Sequence, residues 1–261
     1  MKKMFALLLA LIMVMSLAAC GGSKDDSAAF ATVESGKLIM ATNAAFPPYE
    51  FYEGDKIVGI DAEIAQAIAD KLGMELVIDD MEFDSIIEAV KGGKADIGLA
   101  GMTVTDERKE VVNFTASYAT GVQVVIVTED SAITSVDDMF AEGAFTTIGV
   151  QRNTTGDLYT TWDLEDNNMA EIMRYSKGAE AVQALLTGKV DCVVIDNEPA
   201  KAFVAENAGL KILDTTYAVE DYAAAMNKDN EALFNAVNAA LEELINDGTV
   251  QSIVDKYINN N

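Results

Sequence analysis

Residues 101–108, GMTVTDER, combine residue types that bind a carboxylate: a glycine turn, a threonine hydroxyl and an arginine. Thr105 fits a helix N-cap, so Arg108 lies in a first helical turn, where the helix dipole disfavours a cation by about 0.3–1 kcal/mol. Backbone N–H groups after Gly101, the Thr103 hydroxyl and the Arg108 guanidinium would together bind an anion. The alternative is an exposed arginine that pairs with a neighbouring glutamate and stabilises little.

Two stretches later in the chain could complete such a site. Residues 151–156, QRNTTG, form a polar turn that could hold an anion, although a plain turn with a helix N-cap explains it more simply. Residues 89–97, AVKGGKADI, are echoed by residues 184–192, ALLTGKVDC, at a constant offset of 95 residues. Chance or shared helix-turn-strand chemistry explains this echo as well as duplication does. Carried forward, the offset places Asp196 where the first half has Gly101.

Alternating strands and helices position these residues at strand ends. Hydrophobic periodicity predicts strands at 37–42, 75–78, 97–100, 122–127, 146–150 and 190–195, and helices at 61–72, 84–91, 136–140, 157–162, 230–246 and 250–258. The strand and helix order over the first hundred residues favours a parallel α/β sheet, on which ligands bind at the carboxyl ends of the strands. Two prolines within residues 43–50 place Phe46 in a stiff loop outside any sheet.

Composition excludes several kinds of chemistry. The 261 residues carry a formal net charge of -25 and include no histidine. Nucleic-acid binding needs clustered Lys and Arg, and we do not expect it. Without histidine there is no Ser–His or Cys–His nucleophile and no histidine metal ligand, so we expect no metal and no cofactor. Cys192 lies in an apolar strand and is expected in the core.

The N-terminus has the features of a bacterial lipoprotein precursor. Residues 1–19 combine a basic start with an apolar run that is shorter than the roughly 20 residues of a membrane-spanning helix, which predicts a signal peptide. The sequence LAAC at residues 17–20 resembles a lipobox, which implies cleavage before Cys20 and lipid on its sulfur. The alternative is an ordinary secretory signal with a chance cysteine. Residues 20–35 are small and polar, and they read as a flexible tether.

Three motifs carry a resemblance to a known family. Residues 59–64 (GIDAEI), 100–108 (AGMTVTDER) and 150–156 (VQRNTTG) resemble motifs of the amino-acid-binding proteins that feed ABC importers, the bacterial extracellular solute-binding proteins of family 3. The resemblance implies the two-lobed periplasmic-binding-protein fold of type II, in which each lobe is a sheet flanked by helices and the chain crosses twice between lobes. Lobe 1 would be residues 36–118 plus 222–261, and lobe 2 residues 119–221.

The resemblance also implies how the backbone atoms of an amino acid are held. The α-carboxylate would lie on Arg108 and on the backbone N–H groups of Thr103 and Thr155. The α-ammonium would be bound by Asp196, the Gly101 carbonyl and the Thr103 hydroxyl. A helix N-cap would otherwise be the simpler explanation of Asp196.

The ligand side chain should lie between Phe46 and Phe83, and the other residues of the implied pocket are Ala100, Asn43, Gln151 and Glu50. Asn43 departs from the aspartate that family members for cationic amino acids tend to carry, which favours an uncharged polar ligand. Arg152 beside the pocket could still attract an acidic one.

We therefore expect a monomeric, lipid-anchored, extracytoplasmic protein that captures a free amino acid by lobe closure and delivers it to a membrane permease without chemistry. Two alternatives remain open. One is a dehydratase of the prephenate or arogenate type on the same fold, with Glu50 or Glu198 as the general acid. The other is a ligand-sensing receptor domain.

Overall fold

A computed structural model describes residues 30–258. Its strands are β1 (Lys37–Thr42), β2 (Ala45–Phe46), β3 (Glu50–Glu53), β4 (Lys56–Val58), β5 (Glu75–Asp80), β6 (Ile97–Gly98), β7 (Val112–Phe114), β8 (Ala119–Thr128), β9 (Thr146–Gln151), β10 (Ala170–Tyr175), β11 (Cys192–Asp196), β12 (Leu210–Ile212), β13 (Ala218–Tyr222) and β14 (Ala225–Asn227). Its α-helices are α1 (Ile60–Leu72), α2 (Ile86–Lys91), α3 (Asp106–Val111), α4 (Thr155–Thr160), α5 (Gly178–Leu186), α6 (Asn197–Glu206), α7 (Glu231–Asn246) and α8 (Thr249–Ile258). Short 3-10 segments lie at Phe83–Ser85 and Val136–Phe140, and a π-helical turn at Thr161–Glu165 continues α4.

The first sheet has the strand order β5-β1-β6-β14-β7. β1 runs parallel to β5 and β6, as the sequence predicts, but β14 is antiparallel to both of its neighbours. The parallel sheet predicted from the first hundred residues is therefore present in β1, β5 and β6, and β14 adds an antiparallel strand to it. The reason is that β14 enters from elsewhere in the molecule, after the chain has built a second sheet, and no crossover helix precedes it to impose a parallel direction.

The second sheet has the order β10-β9-β11-β8-β12, and β13 also pairs with β8. Two strand segments connect the sheets: β8 leads away from the first sheet, and β13 leads back to β14. They pair antiparallel over their whole crossing, from Ala218 opposite Gln123 to Tyr222 opposite Ala119. Mixed sheets flanked by helices and joined by two crossings confirm the expected α/β fold class.

Helix ends in the first lobe follow the residues that the sequence offers. Gly73 adopts φ 69° at the end of α1, and its N–H bonds the helix carbonyls. The Asn230 side chain accepts the Leu233 N–H and begins α7. α1 packs against α7 and α8, and buried residues such as Ile64 and Ile68 join the main hydrophobic core. Cys192 is fully buried in β11, as expected.

The two echoed sequences build the same structure. Gly93 and Gly188 follow α2 and α5 with φ 67° and 69°. Each leads to an aspartate whose carboxylate accepts a backbone N–H at 2.8 Å: Asp96 from Ile39 and Asp191 from Thr147. Helix, turn and strand are thus equivalent in the two lobes.

The predicted loop at residues 43–50 contains part of a small third sheet, β2-β3-β4. Phe46 lies in β2 opposite Glu50 and is buried, so the prediction that it stays outside any sheet is wrong. The prolines at 47 and 48 occupy the turn between β2 and β3, where the missing N–H groups are not needed for pairing.

The predicted signal peptide and Cys20 lie outside the described residues. The described end of the predicted tether is held to the fold, because the Val33 N–H donates to Asp96 at 2.8 Å and Asn230 donates to the Ala31 carbonyl at 2.8 Å. Among residues 30–258, no helix is both long and apolar enough to cross a membrane.

Candidate functional site

One cavity between the two sheets is lined by all ten residues that the sequence assigns to ligand binding. They are Asn43, Phe46, Phe83, Ala100, Gly101, Thr103, Arg108, Gln151, Thr155 and Asp196. Glu50, which the resemblance also implies near the ligand side chain, and Thr154 complete the lining. Residues up to 108 come from the first lobe and residues from 151 onward from the second, so the cavity has two halves.

The first-lobe wall is formed by backbone after β6. Gly101 has φ 52°, and a Cβ there would lie 2.9 Å from the Phe46 ring, so both conformation and space require glycine. Its N–H donates to the buried Asp61 carboxylate at 2.7 Å, and the Tyr118 hydroxyl donates to the same oxygen at 2.8 Å. Burial raises the pKa of Asp61 to about 6. Asp61 therefore holds the Gly101 backbone in place on the side away from the cavity.

Arg108 is the cation of the site. It is only 6% exposed, and its guanidinium donates to the carbonyls of Thr103 at 2.7 Å and Asn153 at 2.8 Å. The Phe83 ring lies 5.5 Å from its Cζ. Burial lowers the pKa of Arg108 to about 10, while negative charges, that of Glu220 foremost, raise it. No carboxylate among the described residues forms an ion pair with it, so the alternative of an exposed, glutamate-paired arginine is wrong.

The second-lobe wall starts at the predicted polar turn. Asn153 adopts φ 64°, the left-handed conformation that asparagine tolerates. The Thr154 side chain accepts the Asp157 N–H and caps α4, and Thr155 begins that helix. The Thr155 hydroxyl lies 3.4 Å from the Thr103 hydroxyl of the other lobe. The turn is therefore both an N-cap and a wall of the cavity.

Asp196 ends β11 and faces the cavity at 7% exposure. Its Oδ2 accepts a hydrogen bond from Gln123 at 2.8 Å, whereas Oδ1 has no hydrogen-bond partner among the described residues. Burial, followed by the charge of Glu220, raises the pKa of Asp196 well above its usual range. A ligand cation would supply the missing donor and favour the charged carboxylate.

The far end of the cavity is polar. Gln151 donates to the Asn43 side chain at 2.9 Å across the lobes, and Asn43 donates to the Met81 carbonyl. Glu50 is 1% exposed, and its carboxylate lies beside that of Asp61, with no N–H or O–H donor at either oxygen within the described part of the chain. Burial, then the nearby charge of Asp61, raises the pKa of Glu50 well above its usual range.

Two residues named from the sequence do not line the cavity. Arg152 is exposed and lies 3.5 Å from Asp84, and Glu198 pairs with Lys201 on α6. Sequence reasoning also missed two buried residues behind the cavity, Gln123 and Glu220. Gln123 lies in a predicted strand and Glu220 in a strand that the sequence does not predict, and no motif marks either residue. A polar residue buried in an apolar strand is nevertheless itself a signal.

Within residues 30–258 no cluster of His, Cys, Asp and Glu side chains could hold a metal ion. In the described part of the chain, the cavity offers the Arg108 guanidinium without an ion-pair partner, the half-satisfied Asp196 carboxylate and a polar end that includes Glu50. This chemistry fits a zwitterion with a polar side chain.

A two-lobed α/β fold with such a cavity between its lobes is that of a solute-binding protein. The sequence profile of the bacterial extracellular solute-binding proteins, family 3, matches residues 38–260, and the chain belongs to that family. The resemblance stated from the three motifs is thereby confirmed.

Relatives in this family differ in their ligands. The chain is 33% identical to the arginine-binding extracellular protein ArtP of Bacillus subtilis (strain 168), over 98% of both chains. It is 26% identical to the L-cystine-binding protein TcyJ of Escherichia coli (strain K12), over 95% of this chain and 94% of that one. The structure of an ancestral arginine-binding protein bound to glutamine matches with a TM-score of 0.78 and 36% identity, covering 86% of this chain and 99% of that chain.

Proposed function

We propose that this protein binds a free L-amino acid between its lobes, as the extracellular binding component of an ABC importer. The observation that carries the proposal is the pair of Arg108 and Asp196 in one cavity. Within residues 30–258, Arg108 has no ion-pair partner and Asp196 has one oxygen without a hydrogen-bond partner. A ligand that carries a carboxylate and an ammonium on neighbouring atoms satisfies both groups at once, and three or four such charge-assisted bonds suffice for the roughly -8 kcal/mol of micromolar binding.

We assign the backbone of the ligand to the two lobes together. Its carboxylate lies on Arg108 and the N–H groups of Thr103 and Thr155. Its ammonium lies on Asp196, the Gly101 carbonyl and the Thr103 hydroxyl. Because each lobe holds part of the same small molecule, binding favours the closed arrangement. Residues 36–118 plus 222–261 are proposed as lobe 1 and residues 119–221 as lobe 2.

The side-chain end selects a ligand that donates hydrogen bonds. Asn43 favours an uncharged polar side chain such as that of glutamine. Glu50 supports a guanidinium or ammonium instead, because a cation would supply partners for its buried oxygens and make its ionisation favourable. Relatives named for arginine and a related protein bound to glutamine are consistent with both classes.

The proposal has three further parts. The protein delivers its ligand to a membrane permease, it is a monomer, and it is anchored by lipid on Cys20. Lipid on Cys20 would keep the protein at the outer face of the membrane, where a released ligand meets the permease. Metabolic labelling with a fatty acid tests this directly: wild-type protein should incorporate label and Cys20→Ala should not.

The dehydratase alternative keeps one candidate acid. Glu50 lines the cavity and its raised pKa suits a proton donor, whereas Glu198 lies outside it. Incubation with prephenate or arogenate decides this point, since formation of an aromatic product would establish the enzyme and unchanged substrate would leave binding as the function.

The proposed function is tested by thermal unfolding of the lipid-free protein with each of the twenty amino acids. A ligand at 100 times its Kd adds about 2.7 kcal/mol, which raises Tm by roughly 5–11 °C for a chain of this size. We expect the largest shift with L-arginine or L-glutamine. No shift with any amino acid would contradict the proposal.

A further inference from the structure

Two buried polar residues outside the cavity lie on the strands that join the lobes. Gln123 is on β8 and Glu220 on β13, and these strands pair directly, with Gln123 opposite Ala218 and Glu220 opposite Gly121. Gln123 is 1% and Glu220 6% exposed. A buried glutamate and glutamine in paired strands are costly unless their groups are hydrogen-bonded, so their partners define their role.

Gln123 is held in one orientation by two carboxylates. Its Nε2 donates to Asp196 Oδ2 at 2.8 Å and to Glu220 Oε2 at 3.1 Å, while Thr155 Oγ1 lies farther away at 3.4 Å. The reversed amide would turn its oxygen toward both carboxylate oxygens, which repel it. With both amide hydrogens directed to Asp196 Oδ2 and Glu220, the second oxygen of Asp196 stays available as an acceptor.

Glu220 determines the direction of a hydroxyl in the cavity wall. The Thr103 hydroxyl has a single hydrogen and donates it to Glu220 Oε2 at 3.0 Å. A carboxylate is the strongest acceptor that this hydroxyl meets, stronger than the Thr155 hydroxyl at 3.4 Å. Once its hydrogen points to Glu220, Thr103 can offer only lone pairs to a molecule in the cavity.

We propose that Glu220 and Gln123 are positioning residues that make the cavity selective for a ligand's α-ammonium group. They act through two residues that line the cavity: Glu220 keeps the Thr103 hydroxyl an acceptor, and Gln123 holds Asp196 with one oxygen free. The inference rests on the proposed function, since it assumes an amino acid in the cavity.

The charges agree with this assignment. Glu220 adds a second negative charge beside Asp196 and raises the pKa of that aspartate. The same charge raises the pKa of Arg108 and, after burial, that of Tyr159, which reaches about 12. A buried site with two carboxylates around one acceptor hydroxyl attracts an ammonium more strongly than a neutral group of the same shape.

The decisive variant is Glu220→Gln, with Asp221→Asn as the matched control. Asp221 is the next residue of β13, loses the same charge and is exposed. Affinities are measured by titration calorimetry for L-arginine, L-glutamine and their analogues without the α-amino group, δ-guanidinovaleric acid and glutaramic acid. For the amino acids, Glu220→Gln should bind about 10- to 100-fold more weakly, whereas the analogues should change less than about 3-fold. Equal losses for both ligand classes, or no loss, would overturn the inference.

A second variant checks that Glu220 acts through Thr103. In a Thr103→Val background the hydroxyl is gone, so adding Glu220→Gln should weaken amino-acid binding far less than it does in the wild type. Full additivity would show that Glu220 does not work by orienting this hydroxyl. If Glu220→Gln does not fold, Gln123→Leu provides the same test through Asp196, and it too should lower the preference for the amino acid over its analogue.

A measurement without ligand separates the two proposals. Carboxyl carbon NMR of the ligand-free protein follows the titration of Asp196. Removal of the Glu220 charge should lower the pKa of Asp196, while Asp221→Asn should leave it nearly unchanged. An unaltered titration in Glu220→Gln would overturn the positioning role. If Glu220→Gln lowers the pKa of Asp196 but the wild type binds no amino acid, the positioning role stands and the proposed function is contradicted.

Discussion

The two lobes present opposite charges from the same structural unit. In the first lobe, α2, the turn at Gly93 and Asp96 lead to β6, which is followed by Gly101 and then by Arg108 in α3. In the second lobe, α5, the turn at Gly188 and Asp191 lead to a strand that ends at Asp196 itself. The glycine φ angles differ by only 2°, at 67° and 69°, and both aspartates accept a backbone N–H at 2.8 Å.

This difference separates scaffold from site. Aspartates inside the repeated unit are fixed by backbone N–H groups, so their acceptors are used within the fold. Asp196 lies just beyond the unit and keeps one oxygen unpartnered. The corresponding residue of the first lobe is Gly101, which has no side chain and can contact a ligand only through its backbone. Residues inside the unit therefore build the lobe, and residues just after it are the ones that we propose bind the ligand.

The largest expected effect is on ligand affinity, at the residues beyond the unit. Arg108→Ala and Asp196→Asn should each weaken L-arginine or L-glutamine binding by about 30-fold or more, because removing one partner of a buried charge pair costs about 2–5 kcal/mol. Exposed Arg152→Ala is the control and should change affinity less than about 3-fold. Calorimetry measures all three. An unchanged affinity in either variant would show that the substituted residue does not bind the ligand.

Asp196→Asn also makes a prediction for stability without ligand. Asp196→Asn removes a buried carboxylate whose ionisation is disfavoured, so the ligand-free Tm should stay the same or rise. A clear fall in its Tm would mean that Asp196 is a structural aspartate like Asp96 and would weaken the comparison.

The second effect concerns Asp61, which supports the glycine end of the first lobe. Its pKa is about 6 when folded and about 3.9 when unfolded, so between these values the folded state binds more protons and stability falls as pH rises. This group should lower the free energy of unfolding by about 3 kcal/mol between pH 3 and pH 7. In Asp61→Asn, which keeps an acceptor for the Gly101 N–H, that part of the pH dependence should disappear.

Urea unfolding at several pH values measures this difference. The other buried acids titrate in both proteins, so only the difference between the two curves is used. In Asp61→Asn the pKa of Glu50 should also fall, because the Asp61 charge is one cause of its raised pKa. This change reduces the pH dependence of stability further, in the same direction as the loss of Asp61 itself. Parallel curves for the two proteins would contradict the prediction.

Much of the scaffold could be predicted because local signals specify it. The Thr105 N-cap, the Gly73 stop and the left-handed Asn153 depend on a few neighbouring residues, and all are present. Of the ten residues assigned to the cavity, Gly101, Thr103, Arg108 and Asp196 are indicated by residue types and spacing and the others by motif resemblance, and the structure brings all ten together. Their contact with a ligand stays a prediction.

Long-range pairing accounts for what was missed. The direction of β14 depends on where the chain returns from the second lobe, and the strand formed by Phe46 depends on a partner across a turn. Gln123 and Glu220 become neighbours only when β8 and β13 pair, 97 residues apart in sequence. No periodicity within either strand contains that information.

The third effect is on stability, inside the repeated unit. Asp96 is buried and accepts two backbone N–H groups at 2.8 Å, from Ile39 and Val33. Asp96→Asn leaves one of them facing an amide NH2 and should lower the free energy of unfolding by about 1–3 kcal/mol. Asp191 is exposed, and Asp191→Asn can still accept the Thr147 N–H, so its cost should stay below about 1 kcal/mol. Equal costs would mean that exposure does not distinguish the two copies.

The smallest effect tests whether the two turns are equivalent. Gly93 and Gly188 have nearly the same positive φ, and a Cβ at either position would meet no atom within 4 Å. Gly93→Ala and Gly188→Ala should therefore cost only the left-handed conformation, about 1 kcal/mol each and equal within a few tenths. Asparagine at the same positions should cost less, because it tolerates this conformation. Urea unfolding compares the four variants, and a cost confined to one lobe would show that the echoed sequences share a shape without sharing its energetics.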